Sequence, residues 1–396
     1  MSKIIAVNAG SSSLKFRLYR ITDEAIIASG VVEKIGLNDS VFNISYQNKK
    51  EKVIEFIPNH KIAVKLLLNI LLEKGILQSL DEITGIGHRV VHGGEYYNNS
   101  VIFDDDVANK VAELSTLAPL HNPANLVGYE AFKEAIPSAG AVAVFDTAFH
   151  QSMEPKAFVY PIPYEYYTDL KVRKYGAHGT SHFYVSRRIL EHLNQPKHSK
   201  IIICHLGAGG SLSAIKDGKS INTSMGFTPL AGIMMGTRCG DLDPSIISYL
   251  VDKTGYNINK VIDILNTKSG LLGVSGVSSD FRDIEASIKE GNERSILAME
   301  IYYRRISDFI GRYFIQLGGV DAIAFTAGIG ENSASARTAI INLVKDALDI
   351  VLDDEKNQNI TNETLISKPE SKVKVYVIPT NEELVIAKDT KRLLNL

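Results

Sequence analysis

Cysteine is scarce in this 396-residue chain: Cys204 and Cys239 are the only two, 35 residues apart, with no CxxC and no His/Cys ligand spacing. That argues against a disulfide framework and a structural zinc site, and fits a reducing compartment. Charge of one sign is not in excess either. The 43 basic and 45 acidic residues leave a net charge of −2, so nothing electrostatic draws the chain to nucleic acid or an anionic membrane. No apolar run approaches the roughly 18 residues of a membrane span. The opening MSKIIAVNAGSSS carries one lysine and enters a strand-like run, unlike a signal peptide. Two nucleotide signatures are missing as well: Gly218-Lys219-Ser220 supplies the end of a Walker A motif, but Ser213 stands where its first glycine belongs, and no GxGxxG opens a helix after a strand. The expectation is a soluble, cytoplasmic enzyme with two domains or three.

What is present is ordered. KIIAVN (3–8) reads as a buried strand, AGSSS as a tight turn, LKFRLYRI as an alternating second strand and AIIASGVVEKI as a third. About 200 residues on, IIICHLGAGGSLSAI repeats the same succession of apolar strand, small-residue turn and strand. This predicts a duplicated α/β domain, with a chance match of short strands as the alternative. Periodicity predicts helices over 60–74, 122–136, 243–252, 257–266 and 293–317. Strands are predicted over 85–94, 141–150, 320–333 and 373–378. A final helix is expected near Asn381, with Thr380 and Glu383 as its capping box. No low-complexity linker separates the halves, so they are expected to pack around a cleft. Fourteen of the 30 glycines fall between residues 170 and 280, where backbone is expected to turn sharply or approach a ligand.

Three strand ends run into small-residue turns: NAGSSS (8–13), HLGAGG (205–210) and AGIGENS (327–333). Successive backbone N–H groups in such turns bind anions. Each alone is weak, since tight turns need glycine anyway; three together are stronger. Arg89, Arg238 and Arg282 stand near glycines or strand ends, where recognition of carboxylate or phosphate and a structural ion pair both remain open. His178 and His182 have i,i+4 spacing, but Gly176 and Gly179 weaken a helix there and no third metal ligand is evident. Asp146, Asp241, Asp243 and Asp280 are candidates for holding magnesium directly or through water; for Asp243, capping the helix after Pro244 is the simpler reading. Phosphate cradles and arginines, without a base–nucleophile triad or a metal cage, are the inventory for phosphoryl transfer by positioning and charge neutralisation.

The segments NAGSSSLKF (8–16), GHRVVHGG (87–94), APLHNP (118–123), FDTAFH (145–150), YGAHGTSH (175–182), MGFTPLAGIMMGTRCGDLDP (225–244), FTAGIGENS (325–333) and TNEELVIA (380–387) resemble, in order, those of the acetate kinases. The resemblance implies a duplicated actin/hexokinase/Hsp70-like (ribonuclease H-like) fold with a nucleotide cleft. The first domain would be 1–148 plus 384–396 and the second 149–383. It implies Mg2+-dependent (or Mn2+-dependent) phosphoryl transfer between ATP and acetate by a homodimer. Asn8 and Glu382 would hold the metal, and Lys15 would contact nucleotide phosphates. Arg89 would grip acetate, with Val91, Leu120 and Pro229 around its methyl group. Asp146 would be the catalytic aspartate, and His178 and Arg238 would stabilise the transferring group. His205, Leu206, Gly207, Ala208 and Gly209, with Asp280, Phe281 and Arg282 and with Gly328, Ile329, Gly330, Glu331 and Asn332, would bind ATP. Propionate kinase, and a non-catalytic actin-like binder, are the alternatives. Two positions depart from the family: Ala208 replaces an Asn, and Ala177 stands where Phe is frequent, which predicts a wider acyl pocket and better use of propionate.

Overall fold

The computed structural model describes residues 2–119, 121–194 and 198–396. The chain divides into two compact units, Met1–Phe149 with Asn381–Leu396, and His150–Thr380.

The first unit is built on an eight-stranded sheet. Its strands are β1 (Lys3–Ala9), β2 (Ser13–Arg20), β3 (Ile26–Glu33), β4 (Val41–Tyr46), β5 (Lys49–Ile54), β6 (Ile83–Val90), β7 (Val101–Ile102) and β8 (Gly140–Phe145). Their order is β5-β4-β3-β2-β1-β6-β8-β7. β1, β2 and β3 pair antiparallel, whereas β1, β6 and β8 run parallel. The helices His60–Glu73 and Asn122–Ala135 cover one face. The other receives the helix Glu382–Leu394, whose Ile386 and Ala387 join Ile4, Ala6, Val142 and Val144 in a separate apolar cluster. That helix lies close. A Cβ on Gly87 would stand 2.4 Å from Ile386, and one on Gly140 2.7 Å from Leu394.

The second unit holds β9 (Lys200–Leu206), β10 (Gly210–Lys216), β11 (Lys219–Thr223), β12 (Ala322–Thr326), β13 (Thr364–Leu365) and β14 (Lys374–Val377), in the order β11-β10-β9-β12-β14-β13. β9, β10 and β11 pair antiparallel; β9, β12 and β14 run parallel. The series β3-β2-β1-β6-β8 and β11-β10-β9-β12-β14 therefore match in order and direction, which is the ribonuclease H-like arrangement twice over. Strands buried on both faces need near-continuous apolar runs, and KIIAVNA and KIIICHL supply them at the two equivalent places.

Three local expectations change. β12 stops at Thr326, and Ala327–Asn332 turns into a short helix, because Ala327 takes a left-handed backbone (φ 64°) that no strand can continue through. The final helix is capped by Asn381, whose side chain accepts from Leu384 N. Thr380 bonds elsewhere and Glu383 pairs with Lys15, so the expected capping box does not form. The β4–β5 hairpin was not anticipated; its turn places Gln47 and Asn48 at positive φ, as tight hairpin turns require.

Candidate functional site

In the first unit, parallel β1, β6 and β8 bring their carboxyl ends to one edge of the sheet, where open α/β sheets bind ligands. Asn8 is the penultimate residue of β1 and is paired in register with Lys15 on β2. Arg89 lies on β6, and Asp146 follows β8, its N–H donating to Val90 O. The Arg89 guanidinium donates to Asn8 Oδ1 at 3.2 Å and forms an ion pair with fully buried Asp146. Burial works against the Arg89 cation, but the charges of Asp146, Glu382 and Glu383 outweigh it and hold the guanidinium more firmly protonated than usual. The side chain of Lys15 meets Glu383 at 2.5 Å. Burial, then the charge of Asp146, pushes the Glu382 carboxyl up to about 7.

A dication at this edge would relieve that repulsion, and Asn8 and Glu382 offer the hard oxygen donors that Mg2+ takes. Among the described residues no three His, Cys, Asp or Glu side chains form a cage; Mg2+ ordinarily uses one or two carboxylates plus phosphates and waters. The donor set therefore fits. Val91 is buried, and its N–H is held by Asn125 Oδ1 at 3.0 Å; Asn122 Oδ1 holds His92 N at 3.1 Å. These two buried asparagines escaped the sequence reading, although polar residues on the core face of a predicted helix were a usable signal. Leu120 lies outside the described residues.

In the second unit, the β9–β10 turn carries Gly207, Ala208 and Gly209. The Ala208 carbonyl accepts from Gly236 N at 3.1 Å, so the backbone keeps its tie to the Arg238 turn whatever the side chain at 208. A Cβ on Gly209 would lie 3.3 Å from Arg238 Nη1 and 3.8 Å from the His178 ring. A side chain there would press on the guanidinium and touch the imidazole, so the turn, Arg238 and His178 lie against one another. His178 has a left-handed backbone (φ 57°) at the head of the helix Gly179–Leu193 and stacks on His205, ring centroids 4.1 Å apart. His178 Nδ1 and His182 Nε2 both meet Ser211 Oγ, at 2.9 and 2.8 Å. The i,i+4 pair is thus gathered on a serine hydroxyl.

Among the described residues Arg238 has no carboxylate partner. It reaches only Pro229 O at 3.4 Å and Met235 S at 3.7 Å, and burial lowers its pKa. Asp241 instead accepts from Gly232 N, and Asp243 from Ser245 N at the start of the next helix.

A pocket of about 900 Å3 opens beside this turn. Gly207, Ala208, Asp280, Phe281, Arg282, Gly328, Ile329, Glu331 and Asn332 all line it, so three segments far apart in sequence meet there. Its volume suits a nucleotide. Arg282 is exposed and clasps Asp280 through two bonds. Gly330 is buried, its carbonyl taken by Arg337; Arg337, Gln358 and Ile360 also line the pocket and were not foreseen. His205 and Leu206 are buried in β9. Ala177 is buried in the second unit's apolar core. That packing gives the expected wider acyl pocket no support.

Gly270 also escaped the sequence reading. At φ 61° a Cβ there would stand 2.1 Å from Met235 O and 2.8 Å from Arg238 O. The helix Gly270–Ser275 begins by bonding the same turn, Leu271 N to Met235 O and Leu272 N to Gly236 O. Gly270→Ala is expected to cost about 1–3 kcal/mol of stability through backbone strain. It should also lower kcat by about 100-fold through a shifted Arg238. Denaturant unfolding and steady-state kinetics check this, and unchanged kinetics would free Gly270 of any part in placing Arg238.

The model of the acetokinase family matches residues 3–388. The acetate kinase of Shouchella clausii (strain KSM-K16) is 54% identical over 99% of this chain and 100% of its own length. Among solved structures, Porphyromonas gingivalis acetate kinase matches with a TM-score of 0.94 and 44% identity over all of both chains. A propionate kinase from Francisella tularensis subsp. tularensis SCHU S4 matches at 0.93 and 41%, over 99% of this chain and 100% of its own. With the doubled sheet and these strand-end residues, the matches place the chain plainly: it belongs to the acetokinase family.

Proposed function

We propose that the chain is an acetate kinase, moving the γ-phosphoryl group of ATP reversibly to acetate to give acetyl phosphate and ADP. The observation that carries this reading is Arg238, a cation with no carboxylate partner among the described residues, set against the Gly209 turn and His178 beside a nucleotide-sized pocket. An anion completes such a site.

Acetate is ionised at neutral pH, so its oxygen attacks the γ-phosphorus without a general base while the bond to ADP breaks. What opposes the reaction is repulsion between two anions, and charge neutralisation is the main catalytic contribution. Arg238 and His178 serve the phosphoryl group. Arg89 serves the acetate carboxylate, with Val91 and Pro229 toward the methyl group. Asp146 orients Arg89. Lys15 and the 205–209, 280–282 and 328–332 segments serve the nucleotide. Asn8 and Glu382 would hold Mg2+, which when bound neutralises phosphate charge. A homodimer, Mn2+ as a substitute metal and a cytoplasmic location belong to the same proposal. No helix among the described residues is long and apolar enough to cross a membrane.

The similarity to a propionate kinase supports a second reading, a broader range of short-chain acids. Trapping acyl phosphate with hydroxylamine, using acetate, propionate and butyrate with ATP, decides between them. The expected result is hydroxamate from acetate first and propionate second. A larger yield from propionate favours the second reading, and none from any acid overturns both.

A further inference from the structure

The Glu331 side chain faces the chain's own backbone as well as the pocket. Its Oε1 accepts from Ala327 N at 2.8 Å, from Thr380 N at 3.0 Å and, more weakly, from Thr326 Oγ1 at 3.5 Å. The first bond closes the left-handed junction (φ 64°) that aims the 328–332 turn. The second reaches 49 residues away, to the last residue of the second unit. From Thr380 the bonding continues: its hydroxyl lies 2.8 Å from Ser181 Oγ, which lies 2.8 Å from His205 Nδ1, and His205 stacks on His178. Ser181 has one hydroxyl proton. It either donates to His205 and accepts from Thr380, or the reverse, so the tautomer of His205 is tied to the orientation of Thr380.

We propose that Glu331 is a positioning residue: its carboxylate sets the nucleotide turn and, through Thr380 and Ser181, the His205–His178 pair in one shared arrangement, so that nucleotide affinity and the placement of His178 are coupled. The proposal rests on the phosphotransferase reading for its kinetic part only. What does the work is an acceptor oxygen at a fixed place, not its charge. A backbone N–H left without its acceptor destabilises the turn, and small misplacements at a reacting centre are costly in rate.

Three variants test it, each first checked for folding by circular dichroism and melting temperature. ADP dissociation constants come from calorimetry and kcat from the acyl-phosphate assay. Glu331→Ala is expected to weaken ADP binding about 10-fold and lower kcat by about 10- to 100-fold. Glu331→Gln, which keeps Oε1, should lose at least about 5-fold less than Glu331→Ala in both. Thr380→Val keeps the N–H bonded to Glu331 but loses the hydroxyl; it should lower kcat about 10-fold with ADP affinity unchanged. If Glu331→Gln is as damaged as Glu331→Ala, the charge acts directly and the proposal is overturned. Unchanged kcat in Thr380→Val, or unchanged ADP affinity in Glu331→Ala, overturns it too. Failure of the functional reading looks different: the parent protein would form no acyl phosphate, while ADP binding would still distinguish the Glu331 variants.

Discussion

Arg238→Ala is expected to lower kcat by about 100- to 1,000-fold, the usual loss when one preorganised donor to a developing anionic charge is removed. The acetate KM should move little. The physical reason lies in how lightly the guanidinium is held: one backbone carbonyl at 3.4 Å, one thioether at 3.7 Å and no carboxylate among the described residues. A cation that burial already disfavours is stabilised most when a phosphoryl group bearing negative charge arrives. The same sparse contacts mean that the fold loses about 1 kcal/mol or less. Lys is expected to rescue only partly, because it cannot present a planar fork. Retained kcat with a raised acetate KM would reassign Arg238 to acceptor binding.

Asp146→Asn is expected to do two things at once. It removes the charge opposite Arg89 in a pair whose carboxylate is buried and whose guanidinium is one-fifth exposed; for a fully buried pair such a loss typically costs about 3–5 kcal/mol of stability. Asn8 still accepts from Arg89, and the charges of Glu382 and Glu383 remain near it, so the low end of that range is expected. The activity should fall by about 100-fold, because Arg89 is no longer aimed. The mechanism is checked by the double variant. If Asp146 acts by holding Arg89, Asp146→Asn/Arg89→Leu should be barely slower than Arg89→Leu alone. Multiplying losses would show that Asp146 touches the reaction independently.

Much of this architecture was legible. Two strands of continuous apolar residues ending in small-residue turns announce the repeat. The helix 293–317 has the bounds its periodicity implies, from the Asn292 cap to Gly318. What was not legible depends on partners distant in the chain. Thr380 looks like a capping residue until Ser181 and Glu331 claim it. A strand through 320–333 looks continuous until Ala327 turns left-handed, with Glu331 reaching back to its N–H. In the candidate site, arginines at strand ends could be singled out because their chemistry is visible in their type and setting. Asn122 and Asn125 left only the trace of polar residues on a helix's core face, and Gly270 left none, because they act by gripping or clearing space for backbone elsewhere. Ala177 shows the converse: a substitution that looks like specificity in the sequence is packing in the structure.

The helix Glu382–Leu394 packs on one face of a sheet whose strands all lie before residue 150. On the ribosome, that sheet emerges before the second unit and its cover only after the whole of it. Ile4, Ala6, Val142 and Val144 therefore lack this cover throughout the synthesis of residues 150–380. The second unit, continuous in sequence, can mature while its neighbour is still waiting.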